Sequence, residues 1–455
     1  MPEQYDCIVI GSGPGGYVAA IRAAQLGMKT AVVEKDQVGG RCLNYACIPA
    51  KAVLRVADVL SEIDDADEFG ISVAGREVDF GKVSERRAKV VKTLTGGVSG
   101  LFKKNKIDVI EGVGALADGG VKVGDEIYSA GKAIVLATGS VAKPVPGTEF
   151  GGRVIGTEEA WALTELPKKI AVLGAGASGT EIASAYGRLG TEVLLFEMLD
   201  RVLPTEDADV SKIAARSFAK QNIKVHTGVP VENVKSEDDK VTFTFGDSSD
   251  EADYLIICAG RGADVEALGL DAAGVKLGDR GLIEVDGALR TSAEKVYAIG
   301  DLVPGPALAH KASDEGVIAV EDAAGLETHP IEYVDVPRAT FCTPNVASFG
   351  LTEAQARDAG MDVVVGKVQY GAVGAGTVYG DRGGLIKVVG DKKYGELVGG
   401  HIVGSKATEL IQELVNAKVL EGGYSEVARI IHGHPTLSEG VMEAARAADG
   451  WLIHG

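Results

Sequence analysis

The sequence predicts an α/β fold: two Rossmann-like dinucleotide-binding domains followed by a C-terminal α+β region. Three observations predict it. Two stretches, each reading strand, glycine run, helix, strand and acid, align without a gap at an offset of 163, Gly174 against Gly11. Apolar strands that end at glycine recur at Ala133 to Ser140, Tyr254 to Gly260 and Lys295 to Asp301. From about Asp335 the pattern turns to alternating strands, then to amphipathic helices at Ala407 to Val419 and Leu437 to Gly450, with no nucleotide motif.

In the first copy, Tyr5 to Ile10 reads as a strand leading into Gly11-Ser12-Gly13-Pro14-Gly15-Gly16. A helix through Gly27 and a strand ending at Glu34 follow. In the second copy, Ile170 to Leu173 leads into Gly174-Ala175-Gly176-Ala177-Ser178-Gly179. A helix through Leu189-Gly190 and a strand ending at Glu197 complete it. Gly11 and Gly174 allow the tight turn, Gly13 and Gly176 let the backbone approach a pyrophosphate, and Gly16 and Gly179 let helix and strand pack closely. The pyrophosphate then meets the helix N-terminus. Glu34 and Glu197, placed to bind ribose hydroxyls, repel a 2′-phosphate, so the second copy is expected to prefer NAD to NADP. Arg201 lies nearby, a weaker hint of phosphate binding. Two units imply two dinucleotides, one read as a flavin and one as a nicotinamide.

Between the copies, Cys42 and Cys47 stand in Gly39-Gly40-Arg41-Cys42-Leu43-Asn44-Tyr45-Ala46-Cys47-Ile48-Pro49-Ala50-Lys51. The spacing is neither that of thioredoxin-like motifs nor that of zinc ribbons. An ideal helix separates residues five apart by about 7.5 Å of rise, beyond the usual disulfide Cα limit of about 7 Å. If the two bond, the chain between them bends. Pro49 suits the first turn of a helix starting just after Cys47. That helix end favours a thiolate at Cys47, and Lys51 shares its face. The bland reading is two small core residues or part of a metal site; the flanking glycines, Asn, Pro and Lys argue against it. A thiol pair beside a dinucleotide points to electrons passing between a disulfide and a cofactor.

The chain carries 46 basic and 65 acidic side chains, a formal charge of −19. That excludes a nucleic-acid footprint and suits docking to a basic partner surface. No apolar run spans a bilayer, and the start at Met1-Pro2-Glu3 reads as leaderless. Five cysteines in 455 residues are no secreted disulfide framework. A cytoplasmic location follows as an expectation. Cys7 and Cys258 read as core residues of apolar strands, and Cys342 has no evident partner in the sequence. Ser61 to Asp79 reads as an irregular acidic connection, and Ser84 to Lys106 as a solvated basic helix.

His432-Gly433-His434-Pro435-Thr436-Leu437-Ser438-Glu439 joins two of the seven histidines to a carboxylate. A His beside a Glu can act as a general base, the acid holding the tautomer. Thr436 and Glu439 also have capping-box spacing for the last helix. Both readings can hold at once.

With these pieces assembled, the chain resembles the flavin-dependent disulfide oxidoreductases, and among them the branch acting on protein-bound dihydrolipoamide. The resemblance runs nearly end to end, through both glycine loops, Gly39 to Lys51, Ala137-Thr138-Gly139, Ala298-Ile299-Gly300-Asp301, Leu308-Ala309-His310-Lys311-Ala312 and His432 to Glu439. Relatives that act on other disulfides typically lack the His-x-His doublet.

The resemblance implies an FAD-binding domain at 1–143, an NAD-binding domain at 144–262, a central segment at 263–334 completing the first, and a dimerisation domain at 335–455. It implies flavin contacts at Gly114, Ala137, Thr138, Gly139, Asp301, Ala307, Leu308, Ala309 and His310, a Lys51–Glu181 ion pair near the flavin, and nicotinamide-dinucleotide contacts at Val229 and Gly260. Cys42 is implied as the interchange sulfur and Cys47 as the thiolate beside the flavin. His434 and Glu439 are implied as a base pair supplied by the partner subunit of a homodimer. The implied partner is the lipoyl domain of a 2-oxo acid dehydrogenase or glycine cleavage complex.

Arg41, Tyr45, Ala46 and Ala50 depart from the family's usual residues, and Arg261-Gly262-Ala263 lacks its usual proline. Two other expectations stay open: an NADH-dependent reductase of another disulfide, and a docking subunit of an acyltransferase complex.

Overall fold

The computed structural model describes residues 4–118 and 120–455; the Met1-Pro2-Glu3 start lies outside them. The chain forms two compact units. One comprises Met1–Ala52, Lys82–Lys143 and Gly260–Tyr333; the other comprises Val53–Gly81, Pro144–Ala259 and Val334–Gly455.

The first unit is built on a seven-stranded sheet. Its parallel half runs Asp108–Glu111, Thr30–Glu34, Gln4–Ile10, Glu126–Leu136. Glu126–Leu136 is long enough to serve two partners. Its first half pairs antiparallel with Gly120–Val123, and its apolar second half takes Val296–Ala298 alongside. Cys7, Val9, Val32, Ala133 and Val135 point to one face, while Ile8, Ile10, Ala31, Val33 and Leu136 point to the other. Both faces are buried, which is why these strands read as continuous apolar runs. Helix Pro14–Gln25 covers the first face, with Pro at its first turn. Helix Ala309–Ala323 packs on it so closely that a Cβ on Gly316 would lie 2.6 Å from the Gly15 carbonyl oxygen.

In the second unit, a five-stranded parallel sheet runs Ile223–Thr227, Glu192–Glu197, Lys169–Leu173, Tyr254–Ile257, Val154–Gly156. A small antiparallel meander, Val231–Ser236, Val241–Phe245 and Ser248–Ala252, packs its aromatic residues against it. The C-terminal region forms an antiparallel sheet in the order Arg338–Thr340, Val346–Gly350, Glu396–Val403, Leu385–Asp391, Val363–Gln369. Helices Ala407–Val419 and Ser438–Ala448 lie where the amphipathic pattern puts them. The short helices Glu353–Asp358, Gly374–Val378 and Tyr424–Arg429 go beyond the expectation; at five or six residues they are too short to show a period.

One row of directly paired positions crosses four neighbouring pairs of this sheet: Arg338, Ser348, His401, Lys387 and Lys367. Carboxylates from the start of helix Ala208–Phe218, and Glu353 at the start of helix Glu353–Asp358, meet it. Lys387, only 2 % exposed, bonds Asp207 and Asp209 at 2.8 and 2.9 Å and Glu353 at 2.9 Å. Lys367 bonds Asp209 at 2.7 Å. Asp207 also caps that helix through the Asp209 N–H at 3.0 Å.

Three expectations need correction. Ser61 to Asp64 is not irregular: it is the last turn of helix Cys47–Asp64, and the acidic side chains there are simply its exposed end. The strand expected to run to Asp301 stops at Ala298, because Gly300, at φ +72°, turns the chain into a 3-10 turn containing Asp301. Cys258 lies just past strand Tyr254–Ile257 and is partly exposed, whereas Cys7 is fully buried.

Candidate active site

The two glycine loops are built alike. Gly11 and Gly174 both sit at φ +100°, where a side chain is strained. Each donates its N–H to the strand alongside, Gly11 to Val33 O and Gly174 to Phe196 O, both at 2.8 Å. A Cβ on Gly16 would lie 1.9 Å from Gly11 O; one on Gly179 would lie 1.8 Å from Gly174 O. Helix and strand can meet this closely only over hydrogen. Gly13 and Gly176 differ: a Cβ on either meets no atom within 4 Å. Nothing inside the protein demands glycine there, so the small residue keeps space beside the helix N-terminus open, as a pyrophosphate approaching the backbone requires. The loops therefore fit two dinucleotides.

Each acid braces its loop. Glu197 accepts from Ala175 N–H at 2.8 Å and from Leu199 N–H at 3.0 Å, one on each oxygen. Glu34 accepts from Ser12 N–H at 2.9 Å and Asp36 N–H at 3.0 Å, and also from the Ser12 hydroxyl at 2.5 Å. Carboxylate oxygens have further lone pairs for sugar hydroxyls. Arg201 donates to Pro204 O at 3.1 Å.

The other predicted cofactor residues distribute as follows. Gly114 opens a strand where a Cβ would press on Ile10 and Val33 at 3.0 Å. Ala137 N–H donates to Ile10 O, and the Thr138 hydroxyl to Asp264 O at 2.6 Å. Gly139 O accepts from Asp264 N–H at 2.9 Å. Asp301 accepts from the Ser140 hydroxyl, which also accepts from Arg261. Ala307 and Leu308 lead into helix Ala309–Ala323, with Leu308 at its N-cap and His310 in its first turn. Val229 follows Gly228, whose N–H donates to Glu197 O at 2.9 Å. Gly260 opens the last segment of the first unit, its carbonyl accepting from Lys143 N–H. Glu181 is buried in helix Ala177–Leu189 and accepts from Phe341 N–H at 2.9 Å.

Cys42 and Cys47 form a disulfide with a Cα separation of 4.8 Å. Cys42 lies in helix Gly40–Asn44; the chain breaks at Tyr45 and Ala46, and Cys47 begins helix Cys47–Asp64. Asn44 stabilises the break, its amide donating back to Gly40 O at 2.9 Å and Val38 O at 3.2 Å. Tyr45, bulky between the sulfurs, turns away and bonds Asp36 at 2.7 Å. Lys51 lies one turn into the cysteine helix. Ser12 ties this segment to the glycine loop: Gly39 N–H donates to its hydroxyl at 3.1 Å. A Cβ on Gly40 would lie 2.6 Å from the Gly13 Cα. The remaining cysteines are free thiols; burial pushes Cys7 and Cys342 up to about 12.

In the second unit, His434 Nδ1 meets Glu439 Oε1 at 2.9 Å. The carboxylate only accepts, so Nδ1 carries a proton, and Nε2 sits on a ring 77 % exposed. Glu439 Oε2 accepts from Thr436 N–H at 2.8 Å. Half of the capping box is thus present. The reciprocal half is not: the helix takes Leu437 as its N-cap, without a side-chain cap, and the Thr436 hydroxyl donates to Gly433 O. Burial raises the Glu439 carboxyl, but the Thr436 N–H and His434 outweigh it and hold the group below its ordinary value. His432, which sequence reasoning left without a role, bonds Glu413 and Ile430 O. The Glu413 bond raises its pKa against the opposing effect of burial.

A family model described as pyridine nucleotide-disulphide oxidoreductase matches residues 5–316, and its dimerisation domain matches residues 336–445. The chain belongs to the pyridine nucleotide-disulphide oxidoreductases. Among curated members of this family, dihydrolipoyl dehydrogenase of Bacillus subtilis (strain 168) is 42 % identical over 465 residues, covering 100 % of this chain and 98 % of its own. That of Mycobacterium tuberculosis (strain ATCC 25618 / H37Rv) is 44 % identical over 463 residues, covering 99 % of each. Among solved structures, LpdA of M. tuberculosis superposes with a TM-score of 0.90 at 26 % identity, covering 97 % of this chain and 99 % of its own. The HOCl-induced flavoprotein disulfide reductase RclA of Escherichia coli reaches 0.86 at 26 %, with the same coverage. Among the described residues, no helix is long and apolar enough to cross a membrane.

Proposed function

We propose that the chain is a dihydrolipoyl dehydrogenase, oxidising a protein-bound dihydrolipoyl arm with NAD as final acceptor. The Cys42–Cys47 disulfide, joined to the first glycine loop through Ser12, carries the reading. Full-length relatives above 40 % identity that bear this activity in their names support it. In this reading the first loop, with Glu34, Gly114, Ala137, Thr138, Gly139, Asp301, Ala307, Leu308, Ala309 and His310, holds FAD. The second loop, with Glu197 and Val229, holds NAD. When bound, the two cofactors supply a two-electron relay ending in a hydride acceptor.

The protein's own residues do the sulfur chemistry. His434 Nε2 takes the proton of one substrate thiol, while Glu439 holds the ring and offsets the imidazolium charge. The substrate thiolate attacks Cys42 Sγ; the Cys42–Cys47 bond breaks, a mixed disulfide forms and Cys47 leaves as a thiolate. The second substrate thiol, deprotonated in turn, attacks the sulfur held by Cys42. The oxidised five-membered ring is released, and two electrons remain on the cysteine pair. Lys51 and the start of helix Cys47–Asp64 stabilise the Cys47 thiolate. A homodimer completes the site in this reading, with His434 and Glu439 facing the cysteines of the other subunit. The physiological donor is the lipoyl domain of an acyltransferase complex, in the cytoplasm.

The test is anaerobic turnover of dihydrolipoamide with NAD, followed as NADH. Cys42→Ser is expected to abolish it while the protein keeps its flavin; substantial residual turnover would sink the Cys42 assignment. His434→Gln is expected to slow lipoamide turnover but spare electron transfer from NADH to a dye. Equal loss of both would remove His434 as the base. The likeness to RclA, together with Arg41 and Tyr45, favours a second reading, reduction of another disulfide by NADH. Preference for a small disulfide over lipoamide in the same assay would select it.

A further inference from the structure

Helix Ala309–Ala323 carries two buried ions that the sulfur chemistry does not use. Lys311 is 2 % exposed and Glu315 is fully buried. They pair one turn apart at 3.0 Å. A buried pair is by itself weak evidence of stabilisation, because desolvating both charges offsets their attraction. Here both partners also grip one residue. Glu315 Oε2 accepts from Gly300 N–H at 2.7 Å, and Lys311 Nζ donates to Gly300 O at 2.8 Å. Tyr333 closes the cluster: its hydroxyl donates to Glu315 Oε1 at 2.5 Å, and its ring centroid lies 5.2 Å from Lys311 Nζ.

Gly300 is the residue before Asp301. Its N–H belongs to the peptide plane with Ile299, and its carbonyl to the plane with Asp301. Gly300 has φ +72°, in the left-handed region, so both planes are turned from the course of strand Val296–Ala298. Charge-assisted hydrogen bonds on each plane hold that turn about twice as strongly as neutral ones.

We propose that Lys311 and Glu315 are positioning residues for Asp301. They lock the two peptide planes around Gly300 and so aim the Asp301 carboxylate at the polyol chain of the flavin dinucleotide. The inference rests on the reading that Asp301 binds that chain.

FAD retention by the holoenzyme tests both layers. Each variant is diluted, and released flavin is measured by its fluorescence. Asp301→Asn is expected to weaken retention about tenfold, the scale of a lost hydrogen bond to a charged group. Lys311→Met and Glu315→Gln are expected to do the same singly, with Lys311→Arg recovering most of the loss. Placed on Asp301→Asn, either substitution is expected to add less than about twofold, because the interaction it supports is already gone. If the losses multiply instead, the pair acts on general stability and the proposal fails. If Lys311→Met does not fold, the same comparison is made with the isosteric Glu315→Gln. Full retention in the clamp variants, with loss in Asp301→Asn, overturns the clamp and leaves the Asp301 reading standing. Full retention in Asp301→Asn overturns that reading itself.

Discussion

The two glycine loops share their turn, their close helix–strand contact and their bracing acid; they differ at positions 12, 14 and 15, and the first of these differences carries a hydrogen bond. Position 12 is serine where its counterpart, position 175, is alanine. In the second loop the acid braces the backbone and nothing more. In the first, the Ser12 hydroxyl donates to Glu34 and accepts from Gly39, so one oxygen couples the bracing acid, the loop and the cysteine segment. Glu34 is buried, while Glu197 is partly exposed. The comparison teaches that a repeated binding unit acquires a new neighbour through a hydrogen bond, without altering the backbone geometry that both copies need.

The sharpest way to break the comparison is to fill each loop in turn. Gly16→Ala and Gly179→Ala push a methyl against a carbonyl oxygen already within 2 Å of that position. Each is expected to destabilise its own unit by about 3 kcal/mol, the upper end for overpacking. Gly16→Ala is expected to yield colourless protein. Gly179→Ala is expected to stay yellow but fail to be bleached by NADH. Visible spectra before and after NADH decide it, and the reverse pattern would exchange the two assignments.

Next in size is the serine itself. Ser12→Ala gives the first loop the chemistry of the second and leaves Gly39 N–H without its partner. The expected cost is about 1–3 kcal/mol, as for a buried donor left unsatisfied, read from urea unfolding. An unchanged midpoint would mean the link to the cysteine segment carries no energy.

Smaller effects come from ionic contacts of the second unit. Burial raises Asp209, but Lys367 and Lys387 outweigh it and bring the group from 3.8 down to about 2. A depressed carboxylate stabilises the fold above its ordinary value and loses that contribution as pH falls through the folded one. Acid unfolding followed by near-ultraviolet circular dichroism is expected to include a loss between those limits that Asp209→Asn lacks. His432 has the opposite sign. Raised through Glu413, it stabilises fully below 6.5 and loses that contribution as pH rises through its folded value. His432→Gln is expected to flatten that slope in urea midpoints measured across neutral pH.

Much of this was legible because it is local. Both loops, the helix over Ala407–Val419 and the His434–Glu439 spacing are written within a few residues, and the two acids recur at the same distance from their loops, so sterics, periodicity or repetition expose them. What was not legible depends on pairing across distance. The row Arg338, Ser348, His401, Lys387, Lys367 exists only through strand register, and two of its carboxylates, Asp207 and Asp209, come from far earlier in the chain. Residues 53–81 follow the two cysteines in sequence but belong to the second unit. Ser12 shows no role in the sequence, because its partners Glu34 and Gly39 lie 22 and 27 residues away. The signal was present in the gapless alignment, as the serine with no serine opposite.

By itself, then, the sequence determined the doubled α/β nucleotide fold and the cysteine pair, because backbone conformation and close packing over glycine are imposed residue by residue. Only the tertiary structure decided that Cys42 and Cys47 face each other across a broken helix, that Glu439 serves His434 and Thr436 together, and that Lys311 and Glu315 grip Gly300. Those arrangements depend on hydrogen bonds whose direction is fixed once burial removes water as an alternative partner.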